Sequence, residues 1–121
     1  MAKINWEQSF KKDIKNKMNE SKKEFDLYKK TDYVIYLQQS GNKLFSAVEN
    51  YLMLKNHKRV RNYHNLLKMV MSNKNDKELL TQAVQLHYFF YNGDLHMDRY
   101  TAEEIYKIVY DKMKNRMRLI Y

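Results

Sequence analysis

Proline is absent from this chain and glycine occurs twice, at Gly41 and Gly93, in 121 residues. Proline breaks a helix by removing an amide donor and clashing with the preceding turn. Glycine weakens one by its backbone freedom. A sequence almost without either has few places to stop, so it is committed to long helices. Apolar side chains recur at steps of three and four, as a helix with one buried face requires.

The first helix is expected over about Trp6 to Lys30, with Trp6, Phe10, Ile14, Met18, Ser21, Phe25 and Tyr28 on one stripe. Thr31-Asp32 supplies a break and an N-cap for a second helix, about Tyr33 to Asn56. Its stripe is Val34, Leu37, Gly41, Leu44, Val48, Tyr51 and Lys55, flanked by Phe45 and Leu52. Gly41 inside that stripe is unfavourable by about 1 kcal/mol relative to alanine, which points to close approach of a neighbouring helix. A short third helix, about Tyr63 to Ser72, turns Leu66, Leu67, Val70 and Met71 inward. A fourth, about Asp76 to Asn92, opens on a capping pair, Asn75 and Glu78, and uses Leu79, Leu80, Ala83, Val84, Leu86, His87, Phe90 and Tyr91. Asn92-Gly93-Asp94 stops it. Thr101-Ala102-Glu103-Glu104 has the form of a capping box for the last helix, with Ile105, Ile108, Val109, Met113, Met117 and Ile120 inward. No repeat or linker divides the chain, so the expectation is one all-α domain over residues 1–121, with four long helices and a short one between the second and third long helices.

The formal net charge is +9, from 23 basic and 14 acidic residues. Such a surplus favours phosphate-rich partners through counterion release, or an anionic membrane surface. No apolar run approaches the roughly 20 residues that span a bilayer. MAKINWEQSFKKD lacks the apolar core of a signal peptide, so a cytoplasmic protein that does not insert in membrane is expected. Without cysteine there is no thiolate chemistry and no cysteine-ligated zinc. The histidines His57, His64, His87 and His96 do not fall at helical ligand spacing, so no metal and no cofactor is expected.

Three features remain for function. Lys55, Lys58, Arg59 and Arg61 form a basic run between the second and third helices, and Lys112, Lys114, Arg116 and Arg118 form another on the last. Both suit phosphate. Within the first run, Arg59 and His64 have the chemistry of a metal-independent ribonuclease. Histidine moves protons near neutral pH and arginine steadies the phosphorane charge. The structural alternative is that His64, at the start of a helix, bonds to the backbone there. Consecutive aromatics at Tyr88, Phe89, Phe90 and Tyr91 point all round their helix. Tyr88, Phe89 and Tyr91 are therefore expected at an interface, in a dimer or with a protein partner, with base stacking as the sharper option. His87 beside them reads as a core-edge histidine bonded to a neighbouring side chain or carbonyl.

Three segments resemble the HEPN superfamily (higher eukaryote and prokaryote nucleotide-binding domains), and within it the small archaeal PaREP-type proteins. They are QQSGNKLFSAVENYL (Gln38 to Leu52), YHNLL (Tyr63 to Leu67) and QLHYFFYNGDL (Gln85 to Leu95), found in the expected order. The resemblance implies an antiparallel up-and-down four-helix bundle, often dimeric. Catalytic members carry an arginine and a histidine with about four to six residues between them, in a site composed across the dimer. Arg59 and His64 fit that count. Val60 stands where a polar residue usually follows the arginine, however, and the pair lies before the short helix, whereas the motif usually lies late in the bundle. The leading expectation is a non-catalytic module binding nucleic acid or nucleotide phosphates as a homodimer. A protein-interaction module and a toxin-type endoribonuclease using Arg59 and His64 are the alternatives.

Overall fold

The computed structural model describes residues 6–92 and 98–118; of residues 90–92 it describes the backbone alone. The expectations for Phe90 and Tyr91, for the stop at Gly93 and for Ile120 lie outside what is described. All regular structure among the described residues is α-helical: α1 (Trp6–Thr31), α2 (Val34–Lys55), α3 (Tyr63–Val70), α4 (Lys74–Asn92) and α5 (Arg99–Met117). This is the expected order and class.

Paired contacts give the directions. Asp13 meets Asn50 and Ser21 meets Ser40, so α1 and α2 run opposite ways. Lys55 meets Asp76 and Gln38 meets the Phe89 carbonyl, so α2 opposes α4. Glu78 meets Lys112 and Asp76 meets Arg116, so α4 opposes α5. Lys29 meets Glu103 and Ser21 meets Tyr106, which returns α5 to α1, again opposed. One contiguous set of buried apolar side chains fills the space between, including Ile14, Leu44, Val48, Leu52, Leu79, Leu86 and Met113.

Gly41 answers to close approach, as its place in the stripe implied. A Cβ built there would lie 3.2 Å from the Cβ of Leu86 on α4. The buried serines and Glu103 also find partners, whereas Glu24 Oε2 is buried without one among the described residues. The Ser21 hydroxyl donates to the Ser40 carbonyl at 2.8 Å and shares a 2.8 Å bond with the Tyr106 hydroxyl. Tyr28 and Lys29 both donate to Glu103.

The caps differ from expectation in three places. α2 starts after Tyr33, whose side chain caps nothing; Thr31 accepts instead from the Tyr33 amide, and Asp32 takes the left-handed conformation (φ 63°) that ends α1. α4 is capped by Asn73, which accepts from the Asp76 amide at 3.1 Å, so the helix begins earlier than an Asn75 cap would allow. α5 is capped by Asp98, accepting from the Thr101 amide at 2.8 Å. Aspartate is the better cap, and it places Thr101 within the first turn. Three expected apolar core residues are exposed, Val34 at the start of α2, Met71 at the end of α3 and Ile108 on α5. Ala102 and Tyr106 are buried on α5, on the face that Val109 and Met113 continue at steps of three and four.

Candidate functional site

A level midway along the helices divides the described residues into two halves. Residues 6–17, 47–82 and 111–118 form one half, and they carry fifteen basic and six acidic side chains. Residues 18–46, 83–92 and 98–110 form the other, with seven of each sign. A surplus of nine thus falls on one end of the molecule, where α1 begins, α2 and α5 end, and α3 lies.

The local chain explains how that end is built. α2 closes with the His57 amide bonded to the Leu54 carbonyl and the Lys58 amide to the Met53 carbonyl, and His57 is left-handed (φ 53°). This is the Schellman closure, here made without glycine. Val60 turns inward against the core, its amide on the Met53 sulfur at 3.4 Å, while Arg59 and Arg61 on either side are exposed. Asn62 then caps α3 by accepting from the Asn65 amide at 2.9 Å. Asn65 and Lys68, three apart on α3, share a face. The result is a cleft of about 570 Å³ lined by Lys58, Arg59, Val60, Arg61, Asn62, Asn65, Lys68 and Met69. No acid lines it, and its four cations have no acidic partner among the described residues. A second cleft, about 520 Å³, lies between α1 and α5 at the same end, lined by Lys15, Lys114, Met117 and Arg118.

The eight cations singled out in the sequence therefore separate. Lys58, Arg59 and Arg61 around the first cleft, and Lys114 and Arg118 around the second, have no acidic partner among the described residues. Lys112 is engaged by Glu78 and Gln82. Lys55 and Arg116 converge on Asp76, which is only 1% exposed and sits in the first turn of α4. Their first task is internal: to compensate a buried carboxylate, which without them would be strongly unfavourable. Burial alone would lower the Arg116 pKa, but its bonds to Asp76 and Tyr51 raise it. The guanidinium also lies over the Tyr51 ring, 5.6 Å from its centre.

No protein-family model, curated protein or solved structure matches this chain.

Arg59 lines the first cleft and His64 does not. His64 is exposed on the first turn of α3, and the capping role open to it is taken by Asn62. Within one chain the two residues are not gathered round a common cavity. Among the described residues no group of three or more histidine, aspartate or glutamate side chains is placed to hold a metal. No helix among them is long and apolar enough to cross a membrane.

The aromatic run on α4 divides too. Tyr88 is exposed, and Tyr91 lies outside the described side chains. Phe89, expected at an interface, is buried in the core at 4% exposure. It continues the row Leu79, Ala83 and Leu86 at helical steps, and extending that row would have identified it. His87 is the core-edge residue expected, its Nδ1 3.1 Å from the Asn42 side-chain oxygen and its ring on Phe45; burial lowers its pKa. The charge division itself was missed because its fifteen cations come from three separate stretches of sequence.

Proposed function

We propose that this protein is a cytoplasmic HEPN-like helical bundle that binds nucleic-acid phosphates without cleaving them, as a homodimer. The observation that carries the reading is the concentration of the whole surplus charge at one end, around a cleft whose cations are unpaired. Cations already neutralised by carboxylates add little to counterion release, whereas free ones add close to one ion each. The bundle reading is supported by four long helices, each opposed to the next, with short α3 between α2 and α4.

The test is binding of short RNA and DNA across a salt series. Log affinity should fall linearly with log salt. Replacing Lys58, Arg59 and Arg61 with glutamine should reduce the slope by about two. Affinity indifferent to salt, or a slope unchanged in the variant, removes the reading.

A second reading, an interaction module, has its own observation. Of the eight large apolar side chains exposed among the described residues, seven lie in the half with balanced charge, among them Tyr33, Ile35 and Tyr100. In the dimer these would be the contact, since joining the basic ends would set like charges together. Sedimentation should show Ile35→Glu to be monomeric. A monomeric wild type removes the dimer.

A further inference from the structure

The two basic clefts share one anchor. Lys55 reaches the two Asp76 oxygens at 2.9 and 2.8 Å, and it lies three residues before Lys58 of the first cleft. Arg116 reaches Asp76 at 2.6 Å, with Lys114 and Arg118 of the second cleft two residues to either side. One buried carboxylate therefore fixes the end of α2 relative to the end of α5, and with them both clefts. A single negative charge between two cations leaves the ground between the clefts positive. No acid among the described residues lines either cleft; at the same end the Glu7 carboxylate is bound to His57.

We propose that one continuous phosphodiester strand occupies both clefts at once, crossing the Lys55–Arg116 pair. This rests on the phosphate-binding reading above and specifies its ligand. Each cleft is a few residues and one side chain from Asp76, which keeps the two within about 20 Å of each other. A stacked strand advances about 3.4 Å per nucleotide, so about six nucleotides span the gap. Among the described residues no aromatic ring lines either cleft, so the strand is held there by its phosphates. Two weak contacts on one strand act together, because the second forms at the high effective concentration set by the first.

The experiment is a ladder of oligothymidylates and oligoadenylates from about three to about twenty nucleotides, with affinity measured at low salt. In the wild type, affinity should step up by tenfold or more between about four and eight nucleotides, equally for both bases. Lys114→Gln with Arg118→Gln should flatten that step, while the shortest strands lose no more than about twofold, as when one of two sites is removed. Lys58→Gln, Arg59→Gln and Arg61→Gln together should flatten it as well. All these side chains are exposed, and unaltered unfolding midpoints establish that the variants fold. Short strands that bind with no step at greater length, or a step that survives in the Lys114/Arg118 variant, overturn the two-cleft strand while leaving phosphate binding intact. No binding of any strand by the wild type overturns both.

Discussion

The two ends of this molecule are made from the same helices and treat charge in opposite ways. In the balanced half nearly every acid has a cation at hand: Lys22 with Asp26, Lys43 with Glu24, Arg99 with Asp32, Lys29 and Lys107 with Glu103. Its surface also carries most of the large apolar side chains that are exposed among the described residues. In the basic half the one buried acid, Asp76, takes two cations and Glu78 a third, Lys112, while Lys58, Arg59, Arg61 and Lys68 have no acidic partner among the described residues. A surface meant only to keep a protein soluble needs no such division. Concentrated free charge at one end and apolar surface at the other is what a protein needs when it holds a polyanion at one end and a protein surface at the other.

The comparison is tested most severely by matched neutralisation. Changing Lys58, Arg59 and Arg61 to glutamine should weaken nucleic-acid binding about a hundredfold at about 0.1 M salt, because each free contact contributes close to one released ion. Changing Lys22, Lys23 and Lys30 in the balanced half removes the same net charge and should cost less than about threefold, the share of a distant, screened field. Fluorescence anisotropy under identical salt measures both. Equal losses would mean that only total charge matters and that the cleft is incidental.

The next contrast is between the two buried carboxylates. Asp76→Asn leaves Lys55 and Arg116 without their anion and should lower stability by about 2 kcal/mol, less than for fully buried pairs because Lys55 is partly solvated. Glu103→Gln keeps a hydrogen-bonding side chain beside Tyr28, and its cations are better exposed. It should cost about 1 kcal/mol. Urea unfolding separates them, and a larger loss at Glu103 would reverse the assignment of Asp76 as the anchor of the basic end.

Helix order, the core stripes of α1 and α2 and the close approach at Gly41 were legible in the sequence, because they depend on spacing within a single helix. The caps of α4 and α5 were not, since Asn73 and Asn75, or Asp98 and Thr101, are competing caps that only the emerging helix start decides between. The role of Asp76 was illegible for a deeper reason. Its partners lie 21 and 40 residues away, and nothing local marks a first-turn aspartate as buried. Lys55 and Arg116 therefore looked as free as Lys58 and Arg61. For the candidate site, the sequence showed where the basic residues lie. Which of them remained available was set by tertiary pairing.

At the contact of α2 with α4, Gly41→Ala opposes two effects. Alanine favours the helix by about 1 kcal/mol. Its Cβ, however, meets the Leu86 Cβ, an atom bound directly to the backbone of a packed helix, and relief requires the helices to separate. Overpacking of this kind costs about 1 to 3 kcal/mol, so the variant should be less stable by about 1 kcal/mol in thermal unfolding. A stabilised variant would show that the helices can part at little cost.

The smallest effect concerns Glu49, an acid of the basic half that none of the surplus cations reaches. It is half-buried on α2, and burial raises its carboxyl to about 6 from an ordinary 4.5. Above pH 6 it is ionised whether the chain is folded or not, and burying that charge weakens the fold. As the pH falls through 6 the folded chain takes up the proton before the unfolded one does, so stability rises, and the gain is complete near 4.5. Glu49→Gln should therefore be more stable than wild type at pH 7, by about 0.5 kcal/mol once partial solvent exposure is allowed for. The difference should vanish by about pH 4.5, where both side chains are neutral. Chemical unfolding at the two pH values decides it, and a variant less stable at pH 7 would mean that the surplus cations already compensate Glu49. The positive field would then extend inward as well as out to solvent.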